Sequence, residues 1–313
     1  MPLLLYGVQD GRLVSYTARA SSPPPLRLLV GAYVGRPDTS PGSFQAANAV
    51  YGPLTVRRQF NHNIPSSFGG SASGADVGQP WTSFLSIKAP PVEVIDGVWD
   101  SAITALAASG PTDRRWWMTM WHEPENDTPV SQPAPPAPAF AGGAQQFVEM
   151  FQRFYEVAKA ANPNASIGPV HLGSAWKSGA PVTGGAGSPR YAAEDWIVPA
   201  SHADFYGIDT YNAATVAGRT SLATAANFQR WYAYFRGRGR PLSVPEFGRV
   251  IHPTDPAARP AELLESAAWL RSTGEFDLFM YWDADDPQTG AWSLTDPESR
   301  AAWAQIAEQG KAL

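Results

Sequence analysis

Two glutamates could do chemistry together. Glu123 closes the run "RRWWMTMWHE" (114–123) and Glu246 sits in "PLSVPEFG" (241–248), each at the end of an apolar stretch of strand type. A carboxylic acid that donates a proton to a leaving oxygen, paired with an ionised carboxylate that attacks or activates water, is what cleavage of a glycosidic bond requires. Tryptophans around Glu123 are expected to desolvate it and raise its pKa, which suits the acid. The plainer alternative is that Glu123 caps a neighbouring group or pairs with Arg114 or Arg115.

Whether the two can meet depends on the elements that carry them. Eight apolar runs rich in strand formers recur, at 26–34, 54–62, 82–89, 114–123, 166–173, 203–211, 241–248 and 276–285. Helical patterns lie between most of them, at 94–109, 143–163, 223–237, 259–274 and 296–310, with weaker ones at 40–52 and 191–199. The clearest, 143–163, aligns Phe147, Phe151, Phe154, Val157 and Ala158 on one face. Alternation of nearly continuous apolar strands with helices predicts a parallel sheet covered by helices, and eight units predict a closed (β/α)8 TIM barrel. Residues 26–313 are expected to form this single domain, with 1–25 as an extension packed on it.

In such a barrel, chemistry belongs to the carboxyl ends of the strands. Glu123 on strand four and Glu246 on strand seven would then face each other across the mouth. The other polar strand ends are Asn61, His62, Lys88, His122, His171, Asp209, Tyr211, Trp282 and Asp283. Arg58 could point inward and hold a carboxylate ionised, although strand parity alone does not choose between it and Arg57. Of the 12 tryptophans, Trp121, Trp282, Trp292, Trp81 and Trp176 could stack on sugar rings, with Trp282 the preferred platform, whereas Trp231, Trp269 and Trp303 have core spacing. Proline- and glycine-rich loops at 127–143 and 177–190 follow strands four and five, on the face where a barrel site forms.

Composition narrows the partner. A net charge of −5 with no charge blocks gives no basis for nucleic acid or an anionic membrane, so a neutral ligand fits better, which the paired glutamates and the aromatics narrow to a polysaccharide or oligosaccharide. With 0 cysteines there is no disulfide, thiolate nucleophile or cysteine-held zinc. The 5 histidines include no His-Glu-x-x-His pattern, and neighbours on a strand face opposite ways, so His122 and Glu123 are not expected to share an ion. No metal or cofactor is expected, and the aspartates of "WDADDP" (282–287) are read as a solvated turn. The start, "MPLLLYGVQDGRLVSYTARA", lacks a basic region before its apolar stretch, which is too short for a signal core or a span. That leaves a cytoplasmic, virion-associated or otherwise exported monomer open.

"WHEPEN" and "VPEFG", with "DFYGIDTYN", "YWD", "LVGAYVG" and "IDGVWDSAITALA", resemble the clan A retaining glycoside hydrolases, most of all family 26, the β-mannanase and endo-β-glycanase family. The likeness runs over roughly residues 27–300. It implies that Glu123 is the acid/base and Glu246 the nucleophile of a double displacement, with His122 beside the acid, Tyr211 bonded to the nucleophile and Trp282 flooring the scissile sugar's subsite. Retention calls for carboxyl groups about 5–5.5 Å apart rather than the roughly 6.5–9.5 Å of inverters. The chain departs from the family after Glu123, where Pro124, Glu125 and Asn126 stand in place of Met-Asn-Gly. The expected substrate is a β-linked mannan, glucan or xylan-like polymer cut internally. The alternative is a non-catalytic glycan-binding barrel of a phage tail or wall-attachment assembly.

Overall fold

The computed structural model describes residues 3–9, 12–18, 26–35, 41–68, 79–127, 140–177, 191–212, 220–286 and 290–311. The amino-terminal strands β1 (Leu3–Gln9) and β2 (Arg12–Ala18) pair antiparallel in a sheet of their own. The apolar runs then form β3 (Leu29–Val34), β4 (Val56–Asn61), β5 (Thr82–Ile87), β6 (Trp116–Met120), β7 (Ala165–Ile167), β8 (Val170–Leu172), β9 (Tyr206–Asn212), β10 (Leu242–Arg249) and β11 (Phe276–Asp283). Their order is β7-β6-β5-β4-β3-β11-β10-β9-β8, and every ladder among them is parallel.

Nine strands build an eight-strand ring because the fifth run is broken in two. β7 pairs with β6 and β8 pairs with β9, with Gly168 and Pro169 between them. Pro169 has no N–H for a ladder, and its carbonyl takes the Gly207 amide at 2.8 Å. A Cβ on Gly168 would stand 2.2 Å from the Phe205 carbonyl oxygen, so only glycine allows this approach. Bonds from Gly168 to Met118 (3.2 Å) and from Glu123 to Val170 (2.8 Å) complete the closure of the (β/α)8 barrel.

The covering helices are α1 (Pro41–Tyr51), α2 (Pro91–Ile95), α3 (Asp100–Ala108), α4 (Gly143–Ala161), α5 (Ala226–Phe235), α6 (Ala258–Thr273) and α7 (Pro297–Lys311). The single helix expected over 94–109 is divided where Gly97 takes φ 79°. The weak pattern over 191–199 gives only a 3-10 turn at Ala193–Trp196 rather than a helix. A short hairpin, β12 (Asp285–Asp286) and β13 (Gly290–Ala291), follows the last barrel strand.

Two apolar layers lie between ring and helices, and a third fills the ring. Phe147, Phe151 and Phe154 of α4 are buried in one outer layer, and Leu263, Leu270 and Trp303 in the other. Val56, Phe84, Trp117, Val170, Phe205, Leu278 and Met280 pack together inside the ring. Full burial of such side chains contributes roughly 1.5–3 kcal/mol each, so the barrel is a rigid base for groups at its rim. No helix among the described residues is long and apolar enough to cross a membrane.

Candidate active site

Glu123 is placed by an unusual backbone. β6 ends at Met120, after which Trp121 (φ 60°) and Glu123 (φ 52°) are both left-handed. Each such residue costs on the order of 1–2 kcal/mol and survives only where its surroundings enforce it. Here the Trp121 amide is held by the Ile87 carbonyl at 2.7 Å and the Glu123 amide by Val170. The two reversals cancel the strand's alternation. Trp121 turns outward against Phe140, its indole N–H donating to Asp127, while His122 packs its edge on Phe60 at 5.0 Å and Glu123 also turns into the mouth. The expectation that His122 and Glu123 face opposite ways therefore fails.

Glu246 is placed by a bulge. The register of β10 slips between Ser243 and Glu246 against β9, and between Val244 and Phe247 against β11. Val244 and Phe247, three apart, both face the outer core, and the extra residue leaves Glu246 aimed inward. Its two oxygens are taken by separate donors, Arg58 Nη2 at 3.0 Å and the Tyr211 hydroxyl. Arg58 lies over Phe84 and Phe60, with Asp209 3.8 Å away, which resolves the parity question in favour of Arg58 pointing inward.

One oxygen each of Glu123, Asp209 and Glu246 lie within 4.8 Å of one another. Burial, then the charges of Glu246 and Glu125, push Glu123 up to about 8, with Lys88 and the Asn126 amide (2.9 Å) acting against them. Burial and Glu246 also hold Asp209 well above the usual carboxylate range in spite of Arg58, and raise the Tyr211 phenol. Burial, then Arg58, Lys88 and His62, keep His122 well below the ordinary histidine value, so it is neutral near pH 7. A cation could use three carboxylates so spaced, but the protein's own guanidinium already sits against two of them, and Tyr211 holds the second oxygen of Glu246.

Arg58, His122, Glu123, Asp209, Tyr211 and Glu246 thus converge. Trp282 joins them, stacked on Tyr33 at 4.2 Å with Phe60 and Tyr211 edge-on, and His62 is exposed at the rim beside His122. His171 does not. It is fully buried on the outer side of β8, stacked on Phe235 at 5.4 Å, because the break at Gly168 and Pro169 leaves Val170 as the inward residue. Trp121 is half-buried with Lys88 5.2 Å over its ring. Trp81 and Trp176 are core residues, and Trp292 is buried against Tyr211. Glu123 has no contact with Arg114 or Arg115, which bond Gln79, Ser166 and Asp277.

Sequence reasoning missed Tyr33, Phe60 and Glu125. Phe60 follows from parity once Arg58 points inward, and Tyr33 is on the same face as Gly31. Glu125, 2% exposed, carried no sequence signal beyond its place in "HEPEN". A hollow of about 480 Å³ lies at the opposite end of the barrel, lined by Arg114, Arg115, Lys159 and Asp204 among others. Its cations are already engaged, Arg115 by Asp277 and Lys159 by Asp204, so the strand-end cluster is the stronger candidate.

The fold is a (β/α)8 barrel with a cluster of carboxylates at the carboxyl ends of its strands. The chain is similar in structure to a glucosidase from Croceicoccus marinus (TM-score 0.55, 15% identity, 91% of this chain and 67% of that one). It is also similar to the endo-β-1,4-mannanase of Thermotoga petrophila (0.57, 11%, 92% and 77%) and to a family 128, subgroup II, endo-β-1,3-glucanase of Sorangium cellulosum (0.55, 14%, 89% and 98%). At these identities the likeness is one of fold. No protein-family model and no curated protein matches the chain in sequence, so family 26 is not established.

Proposed function

We propose that the chain is a retaining glycosidase that cuts a β-linked polysaccharide, of mannan, glucan or xylan type, at internal bonds. The observation that carries this reading is the approach of Glu123 and Glu246 to within 4.8 Å in unlike surroundings. Nearest oxygens at that range are in keeping with the carboxyl separation of about 5–5.5 Å that direct attack requires. Glu246, faced by a cation and a phenol, is the nucleophile. It attacks the anomeric carbon while Glu123, protonated at neutral pH, gives its proton to the departing oxygen. Glu123, now ionised, then takes a proton from water as that water displaces Glu246. Both carboxyl groups return to their starting states.

Trp282, backed on one face by Tyr33, is the platform for the sugar whose bond breaks. Neutral His122 lines the site without setting a charge beside the oxocarbenium-like transition state. Residues 26–313 are taken as one catalytic domain, with 1–25 an extension, acting as a monomer. The test is a panel of β-glycans read for reducing ends. Glu246→Ala should abolish hydrolysis and keep glycan binding, whereas a parent protein that binds glycan and releases no reducing ends would favour a glycan-binding barrel.

A further inference from the structure

Glu125 takes no part in the chemistry above, yet it is a buried carboxylate two residues from Glu123. Its oxygens accept the Leu172 amide at 3.1 Å and Nδ1 of His171 at 3.2 Å. With Glu125 as a carboxylate, which only accepts, Nδ1 of His171 is the donor of that pair. Burying a carboxylate is costly unless each oxygen is served, and a site needing only bulk would hold an apolar residue.

Its partners lie on the element that closes the ring. β8 receives the Glu123 amide through Val170 and the Glu125 side chain through Leu172, so the turn Glu123-Pro124-Glu125 is fixed to one strand at two points. Between them Pro124 restricts the backbone, and the Asn126 amide bonds the Glu123 carbonyl at 3.0 Å. The strand side is rigid too, with His171 wedged between Phe235 and Trp176. A left-handed glutamate needs such enforcement.

We infer that Glu125 is a positioning residue, clamping the left-handed turn of Glu123 onto β8 so that the acid is held over the nucleophile. This rests on the reading of Glu123 as the acid. Its charge has a second effect, since it is one of the negative groups that keep Glu123 protonated. The other groups that interact with Glu123 are Glu246 on β10, Asp209 and Tyr211 on β9, and, acting against its protonation, Lys88 after β5 and the Asn126 side chain in its own turn.

Two variants of the full chain test it. Glu125→Gln keeps the shape and the acceptor for Leu172 but removes the charge; Glu125→Ala removes the clamp. In protein labelled with carboxyl-13C glutamate, with Glu123 assigned through Glu123→Gln, the Glu123 titration should move about one pH unit lower in Glu125→Gln. In Glu125→Ala, cleavage of cellotetraose or mannotetraose, which needs the acid, should fall on the order of tenfold or more, with KM unchanged. Cleavage of the matching 2,4-dinitrophenyl β-bioside, whose leaving group needs no proton, should change less than about threefold in its first step. An unmoved titration in Glu125→Gln, or equal losses on both substrates, overturns the inference. Should Glu125→Ala not fold, Glu125→Leu, which fills the volume but cannot accept from Leu172, takes its place on the same two substrates. If the parent cleaves neither substrate while the titration shifts as stated, the glycosidase reading fails and the electrostatic link between Glu125 and Glu123 stands.

Discussion

Arg58 and Tyr211 reach the two oxygens of Glu246 separately, so the carboxylate of strand seven is bracketed by donors, while Glu123, with an oxygen within 4.8 Å of it, has among the described residues only the Asn126 side-chain amide. On the reading proposed above, this asymmetry divides the labour. Glu246 faces a cation and a phenol, while burial, then the charges of Glu246 and Glu125, raise Glu123 so that it keeps its proton.

Removing the phenol tests one half of the bracket. Tyr211→Phe leaves the ring against Trp292 and takes away one hydrogen bond to a charged group, about 1.5–3 kcal/mol. The expected loss in kcat is roughly 10- to 100-fold with little change in folding, read by steady-state kinetics and circular dichroism.

Removing the cation is a different matter. Arg58→Met takes from Glu246 its positive partner inside the barrel, and breaking a buried pair costs about 3–5 kcal/mol. Urea unfolding should show the loss in stability, and Glu246→Gln in the same chain should restore part of it.

The pH dependence follows from Glu123. With its pKa raised to about 8, activity should fall as pH rises through about 8 and the acid loses its proton. Stability has the same sign. The unfolded chain releases this proton near 4.5 and the folded chain only near 8, so the folded state binds more protons between those values. Its stability therefore declines as pH rises across that window, by at most about 1.4 kcal/mol per pH unit and less where solvent reaches the mouth. Urea unfolding of Glu123→Gln between pH 5 and pH 8 should give a flatter profile than the parent.

Chelation discriminates the cation reading. With Arg58 already against two of the three carboxylates, dialysis against EDTA should leave hydrolysis unchanged, and added Mg²⁺, Ca²⁺ or Zn²⁺ should not raise it. Loss of activity that a divalent ion restores would assign the three carboxylates to a metal instead.

The barrel was legible because each strand is an apolar run fenced by glycine, proline or polar residues, and Glu123 and Glu246 sit where two such runs end. What could not be read was the local backbone. Period-two alternation assumes a continuous strand, and it failed where Trp121 and Glu123 are left-handed, where Pro245 accompanies a bulge, and where Gly168 and Pro169 split strand five. The first brings His122 to the same side as Glu123; the last sends His171 away from the mouth. Arg58 and Arg57 could be told apart only by contact with Phe84, a residue distant in sequence.

The most direct measurement is the anomeric configuration of the first product. Proton NMR during cleavage of mannan, β-glucan or xylan should show the β-anomer appearing first, with the α-anomer growing in by mutarotation, and Glu246→Ala should show neither. An α-anomer formed first, or reducing ends released equally by Glu246→Ala, would contradict the account.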